Sequence, residues 1–108
     1  MAQELIQTRS NVQINGFSLN LVKGLLKRGD QTIALTPKES KILALLIQNT
    51  GNLVTRKTLM EHVWETDYMG DTRTLDVHIC WLRQKLEKHP QQPKYIVTKR
   101  GKGYILQM

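Results

Sequence analysis

The eighteen residues from Asp71 to Lys88, DTRTLDVHICWLRQKLEK, carry the signals of one amphipathic helix. Asp71 or Thr72 can serve as its N-cap. Asp76 falls in the first turn, where the positive end of the helix dipole favours a carboxylate, and Lys85 and Lys88 fall in the last, where cations belong. Pro90 stops the helix shortly afterwards. At about 100° per residue, Leu75, Ile79, Leu82 and Leu86 stack into one narrow apolar stripe for a core to bury. Arg73, Val77, Cys80, Trp81, Gln84 and Lys88 project from the other side. Were Val77, Cys80 and Trp81 also core residues, Arg73 and Gln84 would be buried with them and without an evident partner, at a cost of several kcal/mol for the charge. The outer face is therefore expected to be exposed, and its mixture of basic, polar and apolar groups expects a partner.

The rest of the chain limits what that partner can be. With 108 residues there is room for one domain, which buries about two-thirds of the surface its extended chain would expose. No run of 18 apolar residues occurs, and the opening MAQELI lacks the basic and apolar regions of a signal peptide, so a soluble, cytoplasmic protein is expected. The single Cys80 cannot form an internal disulfide and reads as a small apolar helix residue. His62, His78 and His89 have no metal-ligand spacing, and there is neither a phosphate-binding Gly-rich loop nor a Gly-x-Ser-x-Gly elbow. An enzyme is not expected, nor a cofactor or a metal. The net charge of +7 is concentrated: residues 72–108 hold eight Lys and Arg against Asp76 and Glu87, giving +6, and the preceding 71 residues carry only +1. Localised positive charge points to a polyanion, nucleic acid before membrane surface.

Along the chain, residues 1–11 are polar and aperiodic and read as a linker or disordered tail, with the folded domain spanning residues 12–107. From Val12 the period is that of strands. Val12 and Ile14 precede an Asn15-Gly16 turn, and Phe17, Leu19 and Leu21 alternate after it. Turns near Lys23-Gly24 and Arg28-Gly29-Asp30 then separate Leu25-Leu26 from Thr32–Leu35. Thr36, Pro37 and Glu39 form a capping box with proline at the first helical position, opening a helix that runs to about Asn49 with Gly51 as its stop. Thr55 can cap a second helix reaching about Trp64, and the loop 65–70 leads into the helix described first. Beyond Pro90 and Pro93 the period returns to two. Tyr95–Thr98 and Tyr104–Leu106 read as a hairpin whose tip carries Lys99, Arg100 and Lys102 between glycines that allow positive φ. The order ββββ-ααα-ββ makes an α+β domain: an N-terminal four-stranded antiparallel sheet, three helices and a C-terminal β-hairpin.

Two consecutive helices, the second basic on its outer face, match a helix-turn-helix, and a cationic hairpin just beyond is placed to touch phosphates or the minor groove as a wing. If four to six of Arg73, Arg83, Lys85, Lys99, Arg100 and Lys102 neutralise phosphates, log K should fall against log salt with a slope of roughly −4 to −5. A winged helix can also be a protein-interaction module that never meets DNA, but its recognition face would then be neutral or acidic. An RNA-binding domain would favour aromatic platforms on a sheet, whereas Trp81 lies on a helix.

Specific motifs sharpen the reading. Leu35-Thr36-Pro37-Lys38-Glu39-Ser40, Val54-Thr55-Arg56, Arg73–Ile79 with Leu82–Leu86, and Val97–Tyr104 together closely resemble the winged-helix effector domain of OmpR/PhoB-type bacterial response regulators, over roughly residues 12–107. The resemblance implies a transcription regulator that binds double-stranded DNA at direct repeats as a head-to-tail dimer. It also implies a phosphorylated receiver domain, which is absent from this chain, so that the domain alone is expected to be a monomer in solution. By the same likeness Trp64, Arg73, Thr74, Val77, His78, Arg83, Thr98 and Arg100 are DNA contacts, to which charge and exposure add Trp81, Lys85, Lys99 and Lys102. Glu65, Thr66, Asp67, Tyr68, Met69 and Gly70 become the loop that meets RNA polymerase. The family often places arginines at the positions of Cys80 and Trp81, where neither residue can make the bidentate contact of Arg to guanine. A half-site richer in T·A pairs is expected instead.

Overall fold

The computed structural model describes residues 11–14 and 16–107. Four short strands come first, β1 (Asn11–Ile14), β2 (Phe17–Asn20), β3 (Leu25–Arg28) and β4 (Gln31–Ala34), paired antiparallel in chain order. Alternation decides which face is covered: Phe17 and Leu19 are buried while Ser18 and Asn20 are only half-buried, and the register sets Leu19 opposite Leu26 and Leu26 opposite Ile33. Of the expected Asn15-Gly16 turn, Gly16 has φ 90° and Asn15 lies outside the described residues. So do residues 1–10, on which most of the expected linker falls.

Helix α1 (Pro37–Gln48) starts with the expected capping box: Glu39 N donates to Thr36 Oγ1 at 3.2 Å and Thr36 N donates to Glu39 Oε1 at 2.8 Å. Its wide apolar face places Ile42, Leu43 and Leu46 in the core. The element order then departs from expectation. A strand, β5 (Leu53–Thr55), stands between α1 and α2 (Arg56–Val63), where the sequence suggests only a helix start. Three residues are too few to display a period of two, and Thr55 has a double role, ending β5 and capping α2 by accepting from Thr58 N at 3.1 Å.

Because of β5, the C-terminal hairpin, β6 (Ile96–Lys99) and β7 (Gly103–Leu106), belongs to a three-stranded sheet of order β5-β7-β6. Its two tip glycines do different work. Gly101 has φ 73° and makes the turn, whereas Gly103 has no positive φ. It is bare because a Cβ there would fall on the carbonyl oxygen of Val54 in β5, a correction to the reading of both as turn residues.

Helix α3 (Arg73–Leu86) buries Leu75, Ile79, Leu82 and Leu86 as its stripe requires, each contributing roughly 2 kcal/mol. It ends two residues earlier than expected and leaves Lys88 off the helix. Glu87, extended at φ −83° and ψ 141°, turns its buried carboxylate onto the amides of Lys94, Tyr95 and Ile96 at 2.8, 3.0 and 2.8 Å. Three charge-assisted bonds to successive amides fix where β6 begins. At the same end Arg28 of β3 donates to the carbonyl of Leu86 at 3.3 Å, tying the first sheet to α3. One core cluster joins all of this, from Phe17, Leu19 and Leu26 through the three helices to Val54, Ile96, Tyr104 and Leu106.

Candidate nucleic-acid interface

On the outer face of α3, Val77 and Trp81 are each 44% exposed, and Arg73, Cys80 and Gln84 are exposed beside them. Trp81 is nonetheless held. Its ring lies 4.9 Å from that of His78 at 56°, and His78 in turn meets Trp64 edge-on at 5.1 Å. His78 Nδ1 stands 2.7 Å from the carbonyl of Thr74, and because a carbonyl only accepts, the proton is assigned to Nδ1. Lys38 closes the row, with Nζ 5.6 Å from the Trp64 ring centroid and donating to the carbonyl of Val63 at 2.9 Å.

A second set of contacts fixes α3 against α2 and the hairpin. Arg56 donates to both carboxylate oxygens of Asp76, at 2.7 and 3.1 Å, and to the hydroxyl and carbonyl of Thr72 at 2.5 and 3.1 Å. Tyr104 donates its phenol proton to Asp76 Oδ1 at 2.6 Å. The hydrogen bonds from Arg56 hold the Asp76 carboxyl below the usual carboxylate range, while burial and the bond to Asp76 push the Tyr104 phenol up to about 12. Arg83 donates to the carbonyl of Ile96 at 2.8 Å and the hydroxyl of Thr98 at 2.6 Å, with its guanidinium 5.6 Å from the Tyr104 ring centroid.

The expected DNA contacts therefore divide. Trp64, Thr74, Val77, His78 and Trp81 line the α2–α3 surface, and Lys99, Arg100 and Lys102 are exposed at the β6–β7 turn with no ion pair among the described residues. Arg73 is exposed and bonded to Asp71 at 2.8 Å, a contact that draws the Asp71 carboxyl down to about 2. Lys85 and Arg83 have partners within the protein. Lys85 Nζ lies 2.6 Å from Oε1 of the fully buried Glu39, and Arg83 holds β6, with the Thr98 hydroxyl as one of its acceptors. In the connecting loop Glu65 has φ 54°, the hydroxyl of Thr66 accepts from Tyr68 N at 3.1 Å, and Tyr68 is 66% exposed. Glu65, Asp67, Met69 and Gly70 are exposed as well.

Lys38, Arg56, Asp76 and Tyr104 were not legible as parts of this surface, although two signals exist. An arginine in the first turn of α2 opposes the helix dipole and needs a carboxylate nearby. A tyrosine on an inward strand position needs an acceptor for its hydroxyl. Among the described residues, no group of three or more His, Cys, Asp and Glu could hold a metal, and no helix is long and apolar enough to cross a membrane.

Residues 30–106 match the family model described as transcriptional regulatory protein, C terminal. The chain belongs to this family: it is a winged-helix DNA-binding domain of the OmpR/PhoB type, as found in transcriptional response regulators. It is 49% identical over 76 residues to the sensory transduction protein RegX3 of Mycobacterium tuberculosis, covering 70% of this chain and 34% of that protein. It is 44% identical over 77 residues to the alkaline phosphatase synthesis transcriptional regulatory protein SphR of Synechococcus elongatus, covering 71% of this chain and 30% of that protein. The chain thus spans about a third of the length of these relatives. Its structure superposes with a TM-score of 0.81 on the RstA DNA-binding domain of Klebsiella pneumoniae in complex with the RstA box, at 26% identity, covering 92% of this chain and 98% of that one. Family and fold are those of DNA-binding domains rather than of enzymes.

Proposed function

We propose that the folded domain, residues 11–107 with Asn11 in β1 rather than in the expected linker, binds duplex DNA sequence-specifically, with α3 in the major groove and the β6–β7 wing on the phosphates or in the adjacent minor groove, and that residues 1–10 act as a linker. The domain binds and does not catalyse. The observation that carries the reading is the division of α3: one stripe is buried, while the other face leaves Val77 and Trp81 exposed on a helix that Arg83 ties to the cationic wing. A domain using this helix only for its core would have no reason to brace an exposed tryptophan. The RstA complex, in which a domain of similar fold is bound to the RstA box, supports DNA binding by this fold.

In a complete regulator this domain would respond to phosphorylation of a receiver by a histidine kinase, act in the cytoplasm and control transcription, with residues 65–70 presented to RNA polymerase. On direct repeats two copies would sit head to tail, the second gaining from the effective concentration set by the first, while the free domain is a monomer. Selection of sites from a random duplex pool tests the core of this. A recurrent motif, bound singly by the domain and cooperatively in tandem, is expected. Recovery of no motif, or binding indifferent to sequence, would instead favour a protein-interaction module.

A further inference from the structure

We propose that Trp81, with Val77 one turn before it, reads the C5-methyl groups of thymines in the major groove, so that Trp81 is a specificity-determining residue. The inference rests on the DNA-binding reading and adds to it what the site prefers. Val77 and Trp81 are four residues apart on α3 and each is 44% exposed, forming an apolar ridge about 6 Å long, or about two base-pair steps. The tryptophan end of the ridge is braced. His78 lies against Trp81 at 4.9 Å and against Trp64 at 5.1 Å, and its Nδ1 is bonded to Thr74 O. An indole braced before binding loses less side-chain freedom on binding than an unbraced one.

The floor of the major groove offers donors and acceptors at every base pair, and only thymine adds an apolar group, its C5-methyl. Against guanine, the indole would strip water from N7 and O6 and could return at most one hydrogen bond, from its single N–H, where an arginine returns two. Arg73 before the ridge and the cations of the β6–β7 turn supply the positive charge that favours a nucleic acid over an apolar peptide on this face.

The test uses the highest-affinity duplex recovered from a random pool, with each thymine replaced in turn by deoxyuridine, which removes the methyl and nothing else. For the native protein, one or two positions at most two steps apart should each lose about fourfold in affinity, the ratio expected for one buried methyl group. The Val77→Ala/Trp81→Ala double variant should bind the thymine and uracil duplexes equally, and Trp81→Arg should move the preference beneath it towards guanine. Deoxyuridine that is neutral at every position with the native protein overturns the proposal, as does a methyl effect that survives in the double variant. Because the substitution is in the DNA, the first result does not depend on any variant folding. A failure of DNA binding itself is seen separately, as a pool that never enriches.

Discussion

Lys85 and Glu39 form the contact on which single residues should matter most. The Glu39 carboxylate is fully buried, and its partners are the Thr36 amide and Lys85 Nζ, 2.6 Å away. Lys85→Ala would leave that charge uncompensated, and urea denaturation should show a loss of about 3–5 kcal/mol, with most of it recovered in the Lys85→Met/Glu39→Gln double variant. A loss below about 1 kcal/mol would mean that the pair is not a buried one. Asp76 and Tyr104 set the response to pH. The Asp76 carboxyl is lower in the folded than in the unfolded chain, so its contribution is present above the ordinary carboxylate value near 4 and is lost as pH falls through the folded value. The Tyr104 phenol is higher when folded, so its contribution is complete below about pH 10 and is lost as pH rises towards about 12. Asp76→Asn should flatten stability against pH on the acid side, and Tyr104→Phe on the alkaline side. Dipole and capping rules place Lys85 and Asp76 correctly on α3 without revealing their roles. Their partners lie 46 and 28 residues away along the chain, beyond the reach of any local rule.

Among the elements, the relation of α3 to the wing is set by Arg83, whose bonds to Ile96 O and Thr98 Oγ1 span the gap between helix and strand. Arg83→Met should weaken DNA binding and speed amide exchange in β6 and β7 while leaving the salt dependence of binding unchanged. A slope smaller by about one would make Arg83 a phosphate contact after all. At the tip, Arg100 follows the same logic with a different outcome. A guanidinium suits the narrow, negatively charged minor groove of A·T-rich DNA, so Arg100→Ala should lose more affinity at sites with A·T-rich flanks than at G·C-rich ones. Equal losses would leave it a plain phosphate contact. The four-stranded sheet, the three helices and the wing were legible because each carries a period together with a turn or a cap. β5 was not, since Leu53–Thr55 is too short for a period and its pairing with β7 is visible only in three dimensions. Gly103 misled for the same reason: the backbone that excludes its Cβ belongs to β5.

For the whole molecule, the question is whether a net charge of +7 acts as a focused site or as a general surface excess. The fold gives two of the cations that the sequence counts towards DNA a partner within the protein, Glu39 for Lys85 and the carbonyl of Ile96 for Arg83. It leaves Lys99, Arg100 and Lys102 on the wing, with Arg73 able to exchange its exposed partner Asp71 for a phosphate. Three to four phosphate contacts correspond to a slope of roughly −3 to −4, shallower than the −4 to −5 expected if four to six of the candidate cations neutralise phosphates. The most direct test is the affinity of the domain for its selected duplex measured across salt concentrations, for the native protein and for Lys102→Ala. The expected result is a linear plot of log K against log salt with a slope of about −3 to −4, reduced in magnitude by about one in the variant. A native slope near zero would contradict DNA binding through this surface.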